Sequence, residues 1–164
     1  MIHKERYCTD EQLRHIKDLG LVMFDCSPDF RLTQQMAIDM FDEKGVYIEI
    51  GVYGIQKPKF GYTIAINDTF LGEDEKFFDT RKEAISDAIT CCCDYLLNLK
   101  QSLYNYALTH CADLIPYNDE HYDERLHELA MGYALSKLFP KNEMDDYMHS
   151  LCEEHDKTIE DINV

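Results

Sequence analysis

Apolar and polar positions alternate with two different periods along the chain, and the change of period marks its elements. Leu13, Ile16 and Leu19 recur at helical spacing behind Thr9, which can cap Glu11 and Gln12, and Gly20 supplies a stop. Leu21 to Phe24 is a short apolar run of either helical or strand type, and Ser27-Pro28-Asp29 marks a turn. Thr33 opens a second helical pattern through Met36, Ala37, Met40 and Phe41, closed by Gly45. The period then drops to two. Val46 to Tyr53 is β-branched and aromatic with near alternation, and Phe60 to Ile66 returns after a loop holding Gly54 and Pro58. Glu75 to Phe78 is read as a short third strand.

The helical period resumes at Thr80, where Thr80 and Glu83 form a capping-box pair. Ala84, Ile85, Ala88, Ile89, Cys92, Tyr95, Leu96, Leu99, Leu103 and Ala107 continue one apolar stripe. The spacing predicts a helix from Thr80 to about Ala112, with Asn98 and Asn105 as the places where it would break. Ile115-Pro116-Tyr117-Asn118 reads as a linker. A helix follows from Asp119 to Leu138, with Tyr122, Leu126, Leu129, Ala130, Tyr133 and Leu138 inward. Phe139-Pro140-Lys141 interrupts, and Asn142 caps a last helix to about Ile162.

Helices, then a hairpin, then helices define an α+β chain: a small antiparallel β-sheet of two or three strands packed by helices, with a C-terminal all-helical extension. The domain reading is an α+β domain over 1–113 and an acidic helical extension over 114–164. Tyr47, Glu49, Gly51 and Tyr53 fall on the second face of the sheet, either exposed or covered by the C-terminal helices or a second subunit. A sheet this small is marginal alone, so a homodimer is one expectation.

Within this frame, residues 32–99 carry a recurring pattern. It consists of a helix ending in the Lys44-Gly45 turn, Val46-Tyr47-Ile48-Glu49-Ile50, Gly61-Tyr62-Thr63-Ile64, and Phe78-Asp79-Thr80 followed by Glu83-Ala84. In this pattern the chain resembles small uncharacterised proteins of phages and prophages of gut anaerobes. The resemblance covers under half the chain and implies no assigned activity, so it leaves the later acidic part to carry whatever is specific. The same order also looks like the double-stranded RNA-binding domain and an antitoxin fold that begins strand–strand–strand–helix. The RNA reading fails on charge, because Arg81 and Lys82 stand beside Asp79 and Glu83.

Charge changes the picture most in the second part. Residues 1–67 hold 10 acidic and 8 basic side chains, a net of −2, whereas residues 68–164 hold 22 acidic and 8 basic, a net of −14. Such a surface repels nucleic acid and anionic lipid and attracts a basic protein surface. No apolar run approaches the roughly 18 residues needed to span a membrane. The start lacks an apolar segment of the secretory kind, so a cytoplasmic location is expected. The seven cysteines are odd in number, and Cys91-Cys92-Cys93 are adjacent, which suits reduced thiols better than a disulfide framework or a zinc site.

Candidate chemistry is sparse. No G-x-S-x-G, P-loop or G-x-G-x-x-G is present. Glu124 with His127, and Asp146 with His149, have the three-residue spacing that puts both groups on one helix face, half of a di-iron carboxylate site. A metal site at Glu124, His127, Asp146 and His149 is therefore the weaker alternative, because the long helix offers only Asp87 and Asp94 off its apolar stripe. His110, Cys111 and Asp113 are too close in sequence to face one another as a nucleophile and base.

The eleven tyrosines of the chain matter more as surface, with Tyr104, Tyr106, Tyr117, Tyr122, Tyr133 and Tyr147 in the acidic half. Tyrosine among carboxylates is the make-up of a protein-binding hot spot. The expectation is a non-enzymatic acidic interaction protein without cofactor, a phage-type accessory factor or nucleic-acid mimic. It would bind a basic partner through Asp119, Glu120, Tyr122, Asp123, Glu124, Glu128, Asp145, Asp146, Tyr147, Glu153 and Glu154. The alternative is a nucleotide-like ligand held by Arg6, Arg14, Arg31, Lys57 and Lys59.

Overall fold

A computed structural model describes residues 6–22, 29–66, 69–71 and 76–139. The architecture is α+β, with a three-stranded antiparallel sheet and, among the described residues, four α-helices. The chain divides into two compact units, Met1–Leu97 and Asn98–Val164. The division falls within helix α3 (Arg81–His110), so one helix contributes to both units. The sequence reading put the boundary at 113, behind that helix, because no Gly or Pro interrupts the apolar stripe.

In the first unit each short helix is fixed by its ends. Helix α1 (Asp10–Asp18) starts on a capping box: the Gln12 amide donates to Thr9 Oγ1 at 3.1 Å, and the Thr9 amide donates to Gln12 Oε1 at 2.9 Å. It stops when Leu21 N–H reaches the Ile16 carbonyl at 3.2 Å and Gly20 N–H reaches Lys17 at 2.9 Å, a Schellman pair. That turn needs a left-handed residue, and Gly20 supplies it with φ 75°. Helix α2 (Gln34–Glu43) is capped by Thr33, whose hydroxyl accepts from the Met36 amide. The segments leading into α1 and α2 pair antiparallel, Cys8 N–H to Leu32 at 2.8 Å and Gln34 N–H to Arg6 at 2.7 Å.

The sheet runs β1 (Val46–Tyr53), β2 (Lys59–Ile66), β3 (Thr69–Leu71) in that spatial order. The β1–β2 register is unbroken from Val46 opposite Ile66 to Tyr53 opposite Lys59. The third strand is not where the sequence placed it. It is Thr69–Leu71, directly after β2, whereas Phe78 makes a single antiparallel bridge to Phe60. The difference has a local cause: residues 69–71 continue the hairpin outright, and Phe78 is already entering the cap of α3.

One face of the sheet is apolar and buried. Val46, Tyr62, Ile64 and Ile66 lie in a core with Ile16 of α1 and its C-cap Leu19, Ala37 and Phe41 of α2, and Ala84, Ala88, Ile89, Cys92, Cys93 and Leu96 of α3. Full burial of a side chain such as Phe41 contributes about 2–3 kcal/mol. The opposite face carries exposed Tyr47, Tyr53 and Phe70. There the Tyr53 ring lies across Gly51 and Gly61, a cross-strand pair, so that a Cβ at either glycine would sit 3.0 Å from it.

Two polar ties cross the core. Gln12, 3% exposed, donates its side-chain amide to the Ser86 carbonyl at 2.8 Å and to Thr90 Oγ1 at 2.9 Å, joining α1 to α3. The Tyr62 hydroxyl donates to Asp87 at 2.8 Å, and Lys76 pairs with the same carboxylate at 2.9 Å, joining β2 to α3. The apolar-stripe reading of α1 and α3 missed both, because their polar members stand among apolar positions and only the folded pairing satisfies them.

In the second unit, α3 continues unbroken past Asn98 and Asn105 to His110, followed by a 3₁₀ turn (Ala112–Leu114) and helix α4 (Tyr122–Leu138). Ala107, Cys111 and Ala130 form a buried cluster, with Tyr104, Leu108, Leu114, Leu126, Leu129 and Tyr133 packed against it. Helix α4 begins at Tyr122, later than the predicted Asp119, because the Asp119 side chain takes the His121 amide at 2.9 Å and holds a turn there. The expected last helix, from Asn142, lies outside the described residues.

Removal of the Gln12 side-chain amide takes a donor from the Ser86 carbonyl and from Thr90 Oγ1, and takes the acceptor from the Thr9 N–H. Gln12→Ala is expected to lower unfolding stability by about 2–3 kcal/mol in urea denaturation. A loss under about 0.5 kcal/mol would make Gln12 an ordinary surface-type position.

Candidate functional site

The most heavily acidic feature among the described residues is built on the turn that leads into α4. Ile115 is buried and anchors the linker. Asp119 N–H then donates to the Pro116 carbonyl at 3.0 Å, and Tyr122 N–H to the Asp119 carbonyl at 3.2 Å. The Asp119 carboxylate accepts from the His121 amide and from Arg125 Nη1, the latter at 2.6 Å. Arg125 N–H returns to the His121 carbonyl at 3.0 Å, closing the first turn of the helix.

This scaffold leaves Glu120, Asp123 and Glu124 exposed. Asp123 and Glu124 occupy the first turn of α4, where the helix dipole favours negative charge. His121 stands 3.5 Å from Glu124. Tyr122 is half-buried, with its hydroxyl donating to the Ala112 carbonyl at 3.4 Å. Tyr117 sits 5.9 Å from the Tyr122 ring, centroid to centroid, and is 96% exposed. Together Tyr117, Asp119, Glu120, His121, Tyr122, Asp123 and Glu124 line an open depression of about 520 Å³.

The structure thus brings together five of the nominated partner-binding residues: Asp119, Glu120, Tyr122, Asp123 and Glu124. Asp119 differs from the others, since it is mostly buried and engaged by Arg125, and so shapes the surface from beneath. Glu128 lies on the neighbouring depression of about 430 Å³, with Arg125, Leu129 and Leu114-Ile115-Pro116. Asp145, Asp146, Tyr147, Glu153 and Glu154 lie outside the described residues. Sequence reasoning counted Tyr117 among the surface tyrosines of the acidic half but left it out of the nominated set, and it missed Arg125, the cation that fixes the turn. The Asp119 to Arg125 spacing was the available signal for the second.

Other candidates resolve differently. Glu124 and His127 do not gather further ligands: among the described residues no three His, Cys, Asp or Glu side chains stand together as a metal ion requires. His127 Nδ1 instead shares a hydrogen bond with the Tyr104 hydroxyl at 2.8 Å. Asp146 and His149 lie outside the described residues. His110 stacks on Tyr106, centroids 3.8 Å apart, and donates from Nδ1 to the Tyr106 carbonyl at 2.8 Å, while Cys111 is buried in the apolar cluster.

Cys8, Cys92 and Cys93 are poor nucleophiles. Burial pushes the Cys8 thiol up to about 11 and, with Asp94 and Cys8 adding negative field, the Cys93 thiol up to about 12. Burial, reinforced by Asp87 and Cys91, likewise holds the Tyr62 hydroxyl protonated far above its ordinary range.

Of the cations nominated for a nucleotide-like ligand, Arg6 and Arg31 fall on two paired segments and the others stand elsewhere. Lys59 pairs with Asp79, and Arg14 lies 3.8 Å from Glu11. Arg31 covers the Tyr7 ring at 5.7 Å beside a cavity of about 220 Å³, Arg6 is exposed on the segment paired with that of Arg31, and Lys57 is exposed between β1 and β2.

Comparison with family models, with curated proteins and with solved structures finds no match to this chain.

The raised thiols give a pH signature. A group whose folded pKa lies above its unfolded value of 9.0 contributes stability below that value and loses it as pH rises through the folded one, about 11 for Cys8. The urea midpoint is expected to be level up to about pH 9 and then to fall. At neutral pH, peptide mapping after alkylation should find Cys8, Cys92 and Cys93 slow in the folded chain and fast in the unfolded one. Rapid labelling of Cys8 or Cys93 in the folded chain would overturn this reading.

Proposed function

We propose that this chain is a non-enzymatic interaction protein that docks a basic protein surface against the start of α4. The observation that carries the reading is Tyr117, 96% exposed at the rim of a depression otherwise lined by Glu120, Asp123, Glu124 and their neighbours. Helix-dipole stabilisation accounts for Asp123 and Glu124 at about 0.3–1 kcal/mol each. It accounts neither for a carboxylate outside the helix, Glu120, nor for a large aromatic side chain held in water.

A basic partner makes use of all of them. A lysine or arginine side chain can lie over the Tyr117 ring while its charge meets the surrounding carboxylates. The acidic excess of residues 68–164 would speed encounter with such a surface. In the sharper form of the reading, Glu120, Asp123 and Glu124 stand in for phosphates and the protein blocks a nucleic-acid-binding partner, as an accessory factor of phage type would. Asp119 and Arg125 hold the turn that presents them.

Calorimetric titration of the full chain with an arginine-rich peptide tests the proposal. Binding should weaken steeply with added salt. Tyr117→Ala should weaken it about tenfold, and Glu120→Gln combined with Asp123→Asn by a similar factor. Equal affinity for parent and variants, or binding indifferent to salt, rules the docking surface out.

A further inference from the structure

We propose that the free edge of β1 pairs antiparallel with β1 of a second copy of this chain, in the register that centres on Ile50. The starting point is which way the backbone groups of β1 point. Phe60 of β2 exchanges both of its backbone hydrogen bonds with Phe78, at 2.9 and 2.8 Å. Its N–H and C=O therefore point away from β1, and Val52, its partner across the ladder, must point its own groups away from β2. Alternation along the strand extends this to Ile50, Ile48 and Val46. Among the described residues β2 is the only strand paired with β1, and Ile48, Ile50 and Val52 have no backbone bond outside the ladder.

An eight-residue edge of this kind is ordinarily guarded by lysine, proline, a bulge or shortness. β1 has none of these: its sequence holds no Lys or Pro, and its register to β2 is continuous. The opposite edge of the sheet differs, because β3 is only three residues long.

Of the registers centred on Ile48, Glu49 and Ile50, the strand is most complementary to itself in the last. The outward groups belong to even-numbered residues, so a two-fold axis must pass through a residue rather than between two. An axis at Glu49 sets two carboxylates directly opposite, which is destabilising. An axis at Ile48 draws in only the start of the strand, where Val46 is fully buried. An axis at Ile50 places Ile48 opposite Val52 of the second copy, Glu49 opposite Gly51, and Tyr47 opposite Tyr53. It separates the like charges and sets the Tyr47 backbone opposite that of Tyr53, whose ring is turned inward over Gly51 and Gly61. The exposures agree, with Tyr47 at 45%, Val52 at 59% and Tyr53 at 49%. The product is one continuous six-stranded antiparallel sheet. This inference stands apart from the acidic surface and does not need it.

Sedimentation of the full chain over a range of concentrations, with amide hydrogen exchange at each, provides the test. The expected result is a monomer–dimer equilibrium in which protection of the Ile48, Ile50 and Val52 amides rises with concentration. Val52→Pro removes an outward donor without touching the β1–β2 ladder, and should weaken the dimer on the order of tenfold with the circular dichroism spectrum unchanged. Tyr47→Lys, which leaves every backbone bond in place, should weaken it as well. A chain that stays monomeric throughout, or a dimer in which those three amides exchange as fast as in the monomer, overturns the proposal.

Discussion

The acidic surface depends on one carboxylate that no partner can readily reach. Asp119, with its side chain only 13% exposed, takes the His121 amide and Arg125 together. Half-exposed as Arg125 is, the ion pair contributes only about 1 kcal/mol after solvent screening. Its larger effect is geometric. It converts the residues after Pro116 from a continuation of α4 into a turn, and so sets Tyr117 and Glu120 beside the first turn of the helix instead of along it. Without that turn the same acids would spread around a helical surface, and the exposed tyrosine would have no carboxylates in front of it.

The first unit is organised differently. Two short capped helices and the first part of α3 cover one face of a small sheet. Specific polar contacts fix what apolar burial leaves free: Gln12 sets α1 against α3, and Asp87 sets α3 against β2. Buried amides and carboxylates of this kind are strict about register, because a displaced partner leaves a desolvated polar group behind. The cost of the arrangement falls on the sheet's second face, where Tyr47, Tyr53 and Phe70 are exposed. Near-neutral charge in residues 1–67 makes this the part of the chain where apolar self-association is least opposed.

Much of the fold was legible in the sequence for local reasons. Thr9, Thr33 and Thr80 cap helices because their hydroxyls reach amides three residues on, and Gly20 and Gly45 end two of them because each adopts a positive φ. The hairpin followed from its alternation. Long-range pairings were not legible. Nothing in the local pattern distinguishes Gln12 from any polar residue of a helix, and Thr69–Leu71 is too short for periodicity to mark. The acidic cluster was visible as composition, but its partition into one buried anchor and several exposed groups required the turn at Asp119. Tyr117, in a stretch that reads as linker, gave no sign of its neighbours.

The central claim is that the start of α4, and no other acidic stretch, receives a basic partner. The most direct measurement is an amide chemical-shift map of the full chain during titration with an arginine-rich peptide. The account predicts that the largest changes fall on Tyr117, Glu120, Asp123 and Glu124, with Asp119 and Arg125 following as the turn adjusts. Changes spread evenly over the acidic positions, or gathered on the β1–β2 sheet, would contradict it.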